Sequence, residues 1–179
     1  IPVKYVGKSD LRSSPSAKVL FSFLRIIANP MNSLISINGI LREYGISEQN
    51  ISKINRESKT RARDKTEGDY SFDVLSDLKV PDLTQKTELK EIFQMIRGFI
   101  QIAKDNPTST TIYRIMRNET DIYKKIANDD SIEHFIERSI LNDVLNSAYD
   151  LEKIQPDATI PDFLQFIDHL ESFDVETKR

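Results

Sequence analysis

The chain has 179 residues, of which 25 are basic and 28 acidic, so its formal net charge is −3. That balance excludes a surface that attracts nucleic acid as a whole, and any contact with DNA has to be local. Five Gly, seven Pro and no Trp favour a helical protein over a loop-rich or β-rich one. The absence of Cys excludes disulfides, thiolate metal sites and a Cys nucleophile, and it fits a cytoplasmic location. No apolar run approaches the roughly 18 residues that span a bilayer, so no membrane partner is expected.

The first predicted elements are a strand and a helix. Residues 1–6 alternate apolar and polar side chains and end at Gly7, which predicts a short β-strand followed by a turn. Ser14 as an N-cap and Pro15 in the first turn then predict a largely buried helix. Because the chain opens without an initiator Met, we expect it to begin within a longer gene or after processing.

A pair of helices joined by a tight turn is predicted next. The first helix should run from about residue 32 to residue 42, with Gly45 ending it and Ser47 capping the second helix. Beyond that cap the apolar pattern fades. Residues 53–67 are therefore predicted to form a solvated, mobile segment rich in basic side chains.

The remaining chain is also predicted to be helical. The clearest pattern covers residues 84–104, where apolar side chains keep the i, i+3, i+4, i+7 spacing. Two short helices are expected after Pro107, a long helix over residues 131–153, and a last helix from about residue 159. The inward positions predicted in the long helix are Ile132, Phe135, Ile136, Ile140, Val144, Leu145, Ala148 and Leu151. The predicted fold is all-α, an irregular helical bundle with one short N-terminal β-strand.

Residues for catalysis or metal binding form no recognisable pattern. The phosphate-binding string G-x-x-x-x-G-K-[ST] is absent from the sequence, so ATP binding in the P-loop manner is not expected of this chain. His134 and His169 each lack a second His at metal-ligand spacing. Acidic pairs such as Asp129 and Asp130 fall at helix ends, where they complement the helix dipole. We therefore predict no catalytic residue, no metal site and no cofactor in this chain.

The turn at Gly45, Ile46 and Ser47 has a specific binding mechanism. A tight turn into a helix N-terminus exposes backbone N–H groups, and a glycine lets a DNA phosphate approach them closely. Lys53 and Arg56 follow one to two turns later, and these five residues form the candidate DNA site. The alternative is that Gly45 is only a C-cap and Ser47 only an N-cap between two packed helices.

The N-terminal segment carries a family resemblance. Residues 1–7 and the helix after them resemble, in sequence and spacing, the start of the 2B subdomain of the UvrD/Rep/PcrA superfamily 1 DNA helicases. The matching helix residues are Lys18, Leu24, Arg25 and Asn29. The chain departs from the family at Lys8, which stands where the strand motif has its second glycine.

Two further segments extend the resemblance. Residues 44–47 are similar to the R-G-I-G turn of the family, which touches the duplex DNA backbone, although Ser47 replaces its last glycine. Residues 160–167 resemble the S-L-x-D-F-L-x-x-I helix that precedes the helicase motif T-x-H-x-x-K-G-L-E. Between about residue 58 and residue 125 only the order of helices agrees.

The resemblance implies a regulatory subdomain that contacts duplex DNA in an ATP-dependent DNA helicase. ATP and Mg²⁺ would belong to the RecA-like motor domains of the parent chain, which are the other expected partners. The implied division is a strand and hinge at 1–13, a helical subdomain at 14–172 and an exit linker at 173–179. The candidate hinge or motor-contact residues are Gly7, Lys8, Lys18 and Arg25. The alternative function is a stand-alone helical module that binds a protein partner through an apolar groove.

Overall fold

The computed structural model describes residues 11–63, 65 and 68–176, with the backbone alone at 118, 171 and 173–176, and this part of the chain is α-helical. The helices are α1 (Pro15–Ala28), α2 (Leu34–Glu43), α3 (Glu48–Ala62), α4 (Ser71–Asp77), α5 (Lys86–Asp105), α6 (Thr108–Arg114), α7 (Lys124–Ala127), α8 (Ile132–Ile154) and α9 (Ile160–Glu176). A 3₁₀ turn (Pro30–Asn32) precedes α2, and a π-helical turn (Ile115–Glu119) follows α6. The all-α prediction is confirmed, and the strand predicted at residues 1–6 lies outside the described residues.

Serine caps begin α1 and α8 at the places that the sequence predicts. The Ser14 hydroxyl oxygen accepts the backbone N–H of Ala17 at 3.1 Å, at the start of α1. The Ser131 hydroxyl oxygen accepts the N–H of His134 at 3.3 Å, at the start of α8. Each cap satisfies a backbone donor that the helix itself leaves open and contributes about 1 kcal/mol.

The contacts divide the chain into two compact units. One, the central unit, is Ser22–Lys104, and the other, the flanking unit, combines Ile1–Phe21 with Asp105–Arg179. The boundary at residue 21 falls inside α1, so that one helix contributes to both cores. The boundaries of the helical subdomain implied by the family, at residues 14 and 172, stay predictions.

The core of the central unit forms around Phe23 of α1. Its ring meets the ring of Phe99 of α5 edge to face, with 5.0 Å between centroids, and it lies 6.3 Å from the ring of Tyr44 at the end of α2. Ile37 of α2 and Ile54 of α3 are fully buried in the same unit. Burial of Phe23, Phe99, Ile37 and Ile54 stabilises the packing that holds α2 and α3 in place.

The core of the flanking unit is built on α8. This helix packs against α6, α7 and α9, and the ring of Phe163 in α9 stacks on that of Phe21 with 6.4 Å between centroids. The Glu152 carboxylate of α8 accepts the backbone N–H and the hydroxyl of Ser109 at 2.8 and 2.6 Å, and so caps the start of α6. Within the ranges that the structure describes, no helix is long and apolar enough to cross a membrane.

The segment at residues 53–67 differs from the prediction, because α3 continues as a helix to Ala62. Tertiary contacts replace the missing apolar pattern. Ser58 is buried and donates a hydrogen bond to Ser71, the first residue of α4, at 3.1 Å. The Arg61 side chain is joined to three carboxylates, Glu57, Asp73 and Asp77, at 2.8–3.0 Å. A short helix such as α4 and a cross-helix ion network leave no periodic signal, so the sequence analysis missed both.

The Arg61 network predicts a pH dependence of stability. The hydrogen bond from Arg61 lowers the pKa of Asp77, and the same bond raises the pKa of Arg61. Because the carboxylate form is favoured in the folded state, this stabilisation is fully present above the ordinary aspartate pKa of about 3.9 and is lost as pH falls through the lowered value.

We expect Asp77→Asn to destabilise the protein by about 1 kcal/mol at pH 7 and to make stability less pH-dependent below about pH 4. Thermal unfolding followed by circular dichroism from pH 2 to pH 7 measures both effects. Asp157→Asn, at an exposed turn residue with no hydrogen bond in the described structure, serves as the control. Parallel pH profiles for wild type and Asp77→Asn would show that the network does not act on stability.

The first turns of α8 also differ from the prediction. Ile132, Phe135 and Ile136, which were expected to face inward, are 78%, 65% and 42% exposed. From Ile140 onward the predicted inward positions are buried or half-buried. Helical periodicity shows that side chains share a face, but it does not show whether another element covers that face. Ile132, Phe135 and Ile136 are named the α8 patch below.

Candidate nucleic-acid interface

The turn between α2 and α3 is a Schellman motif. Gly45 adopts the left-handed conformation (φ 77°), and its N–H donates to the carbonyl oxygen of Arg42 at 3.0 Å. The N–H of Ile46 donates to the carbonyl oxygen of Leu41 at 2.9 Å, and the Ile46 side chain is buried. These bonds close the end of α2 and confirm the capping role of Gly45. A Cβ added at Gly45 would meet nothing within 4 Å, so the turn is open at this point.

Ser47 caps α3, and a side chain from another segment fixes it there. The Ser47 hydroxyl oxygen accepts the N–H of Asn50 at 3.3 Å. The Gln85 side chain, just before α5, accepts the N–H of Ser47 at 2.9 Å and donates to the carbonyl oxygen of Gly45 at 3.0 Å. It also accepts a hydrogen bond from the Asn50 amide. Gln85 is thus a structural part of the site that sequence analysis missed, because it lies 38 residues from Ser47.

A carboxylate stands at the start of α3. Glu48 is in the first turn and forms an ion pair with Arg42, with 2.5 Å between Nε and Oε1. This hydrogen bond lowers the pKa of Glu48, which therefore stays ionised. Lys53 donates from Nζ to the carbonyl oxygen of Asp82 at 2.5 Å. Of the five predicted DNA-site residues, the structure thus uses Gly45, Ile46, Ser47 and Lys53 in internal contacts.

Arg56 begins a line of basic side chains along α3. Arg56, Lys59 and Arg63 are exposed, and their i, i+3, i+7 spacing places them on one face over about 10 Å of helix axis. None of the three forms an ion pair with another described residue. The nearby Glu57 is directed to Arg61 instead. We name these three residues the α3 stripe.

A second line of cations lies on α5. Lys86, Lys90, Arg97 and Lys104 are exposed, at positions that fall on one side of the helix. Among the residues that the structure describes, none of the four has an ion-pair partner. The α5 stripe was not predicted from the sequence, because the prediction for this helix considered only its apolar face.

The two units carry opposite charge. The central unit contains 13 basic and 11 acidic residues, a net charge of +2. The flanking unit contains the other 12 basic and 17 acidic residues, a net charge of −5. The overall value of −3 therefore hides a positive unit that holds the α2–α3 turn and both stripes.

The predicted hinge and motor-contact residues are only partly described. Lys18 and Arg25 are exposed positions on α1, seven residues apart and hence on the same side of the helix, and each has an interaction within the protein. Gly7 and Lys8 lie outside the described residues. Lys18 belongs to the flanking unit and Arg25 to the central unit, and their role in a hinge stays a prediction.

The histidines offer no metal centre in the described part of the chain, where no three His, Asp or Glu side chains are grouped to hold an ion. His134 lies with Nδ1 at 2.7 Å from the carboxylate of Asp129. The pKa of Asp129 is lowered, mainly by the backbone N–H of Ser131 and further by His134. This trio belongs to the start of α8.

Compared with known proteins, the chain matches no family model and no curated protein sequence.

Proposed function

We propose that this chain is the 2B-like subdomain of a UvrD/Rep-type ATP-dependent DNA helicase and that its central unit contacts the duplex backbone. The observation that carries the proposal is the α3 stripe. It starts two turns after the open Gly45 turn and consists of three exposed cations without acidic partners in the described structure. The net charge of +2 on this unit supports the same assignment.

The dimensions of the α3 stripe suit a phosphate backbone. Successive phosphates of one strand rise 3.4 Å along a DNA duplex, so a stripe of about 10 Å spans on the order of three phosphates. Arg and Lys contacts of this kind fix position and orientation but do not read base sequence. The proposed activity is accordingly regulatory: the subdomain positions duplex DNA while the motor domains of the parent chain bind ATP and Mg²⁺ and unwind it in the cytoplasm.

The α2–α3 turn would contribute backbone donors to the same contact. The N–H groups of Glu48 and Gln49 lie in the first turn of α3, where the helix provides no acceptor for them. The negative charge of Glu48 repels an incoming phosphate, and the ion pair with Arg42 reduces that repulsion. We therefore assign most of the attraction to the α3 stripe and a positioning role to the turn.

The parent gene tests the family assignment. A P-loop motif upstream of this segment and a T-x-H-x-x-K-G-L-E string downstream of it are expected. Binding of a labelled 20-base-pair blunt duplex, followed by fluorescence anisotropy between 50 and 300 mM salt, tests the DNA contact. We expect weak binding that declines steeply with salt. A gene without helicase motifs would overturn the family assignment, and absence of duplex binding at 50 mM salt would overturn the DNA contact.

Gly45→Asn tests the role of the turn. Asn tolerates the left-handed conformation better than other residues, and open space surrounds the site, so stability should change little. A side chain at this position should keep a phosphate from the backbone donors, and we expect duplex affinity to fall by about fivefold. The matched control is Gly98→Asn on α5, also in open space. Wild-type affinity for Gly45→Asn would show that the turn does not meet the DNA.

A second candidate function is a helical module that binds a protein partner. The observation that favours it is the α8 patch, where Ile132, Phe135 and Ile136 expose apolar side chains at i, i+3, i+4 spacing. This function predicts no affinity for duplex DNA at low salt. The anisotropy titration therefore separates the two candidates.

A further inference from the structure

A cleft of about 530 Å³ opens in the central unit, beyond the end of α3. It is lined by Asn29, Met31, Asn32, Gly68 and Tyr70. Its volume is within the range of roughly 300–1,000 Å³ that is usual for sites that bind small organic groups. The cleft thus has room for a ring-sized ligand.

Asp69 ties the two walls of the cleft together. Its backbone N–H donates to the carbonyl oxygen of Met31 at 2.8 Å, and its carboxylate accepts the N–H of Leu34 at 2.6 Å and that of Ser71 at 3.0 Å. Gly68 is required beside it, because a Cβ there would lie 2.6 Å from the carbonyl oxygen of Met31. The two walls of the cleft are therefore fixed relative to each other by hydrogen bonds that Asp69 makes to backbone groups.

The lining of the cleft combines an aromatic ring with unused hydrogen-bonding groups. Tyr70 is half-buried, and its hydroxyl makes no hydrogen bond within the described structure. The carboxamides of Asn29 and Asn32 are likewise without a hydrogen-bond partner there. The Lys65 ammonium lies 4.4 Å from the centre of the Tyr70 ring. Each carboxamide offers both donors and an acceptor, which is the complement of the edge of a nucleobase.

We infer that the cleft binds an unpaired nucleobase of a single strand that continues from the duplex held by the α3 stripe. The base contacts the Tyr70 ring and is hydrogen-bonded by Asn29 and Asn32, while Lys65 and Arg63 bind the adjoining phosphates. Proteins that bind single strands commonly stack a base on an aromatic ring, form hydrogen bonds to the edge of the base and bind the backbone at a basic surface. This inference rests on the proposed function and extends it to the junction between duplex and single strand.

Duplexes with and without an overhang test the inference. The probe is the labelled 20-base-pair duplex, either blunt or carrying a five-nucleotide single-stranded extension, titrated with the full chain at 50 mM salt. We expect wild type to bind the extended duplex more tightly. Tyr70→Leu should weaken binding to the extended duplex by about tenfold and leave binding to the blunt duplex unchanged.

A second cleft variant and a control variant separate the cleft from general effects of substitution. Asn32→Ala, which keeps the ring, should weaken binding to the extended duplex by about threefold to fivefold through the loss of one base-edge contact. Tyr113→Leu removes an exposed tyrosine of the flanking unit that, like Tyr70, has a cation over its ring, in this case Arg117. It should bind both duplexes as wild type does.

The outcomes distinguish this inference from the proposed function. The base site is overturned if wild type binds the extended and the blunt duplex equally. It is also overturned if an extension whose nucleotides lack bases is bound as tightly as the natural extension. Both results leave the duplex contact intact. Free mononucleotide at micromolar concentration is a competitor for the cleft. If it abolishes the additional, Tyr70-dependent binding of the extended duplex but does not displace the protein from the blunt duplex, the ligand of the cleft is a mononucleotide and the assignment to a strand is overturned. If wild type binds neither duplex, the proposed duplex contact and the cleft assignment both fail.

Discussion

Replacing Arg56, Lys59 and Arg63 together with glutamine is expected to weaken duplex binding on the order of a hundredfold at 50 mM salt. Each neutralised phosphate releases condensed counterions, so three lost contacts should also reduce the slope of log affinity against log salt by about 2.7. The three side chains are exposed and have no ion pairs in the described structure, so their replacement should not disturb the fold. Anisotropy titrations at four salt concentrations give affinity and slope from one series.

A variant with the same charge change elsewhere is the control for the α3 stripe. Lys124→Gln, Lys125→Gln and Lys153→Gln remove three positive charges from the flanking unit. We expect this triple variant to change the slope of log affinity against log salt by less than a third of the change caused by the triple variant of the α3 stripe. Equal effects of the two triple variants would mean that only total charge matters, and the α3 stripe would lose its special role. Replacing Lys90, Arg97 and Lys104 would then report whether the α5 stripe extends the footprint.

Phe23→Ala is expected to destabilise the protein by about 3–5 kcal/mol. Phe23 is 1% exposed, and its ring is in edge contact with Phe99 and close to Tyr44, so truncation leaves a cavity between α1, α5 and the end of α2. The loss combines the transfer free energy of the ring with the cost of the cavity. Urea unfolding monitored by circular dichroism gives the free energy of unfolding.

Phe135→Ala is the matched control for Phe23→Ala. Phe135 carries the same side chain but is 65% exposed in the α8 patch, and we expect a change within about 0.5 kcal/mol. A loss of several kcal/mol from Phe135→Ala would show that another surface covers the α8 patch in solution. A loss below 1 kcal/mol from Phe23→Ala would contradict the central position of this ring.

Apart from α4 and the second half of α3, the helices and most of their boundaries follow from local sequence signals. Ser14, Ser47 and Ser131 mark helix starts because a hydroxyl at the N-cap satisfies a nearby backbone donor, and that chemistry is local. Gly45 marks a helix end because its backbone readily adopts a positive φ. The capping turn at Gly45 could therefore be predicted.

The missed features depend on contacts between distant residues. Arg61 stabilises the end of α3 through Asp73 and Asp77, which belong to a different helix, and Gln85 fixes the turn from 38 residues away. The exposure of Phe135 depends on which elements pack beside α8. No periodicity within a single helix contains that information. The cleft at Tyr70 is likewise formed by two segments that the chain brings together through Asp69.

The charge division between the units bears on how the molecule would meet DNA. A net charge of −5 on the flanking unit repels a polyanion, while the central unit at +2 attracts it. If the proposed duplex contact exists, encounters in which the stripes of the central unit face the DNA are favoured by their charge. Such steering would select an orientation of the protein before any close contact with the DNA forms. On the proposed function, such a subdomain would meet its duplex in one preferred orientation each time that it re-engages the DNA.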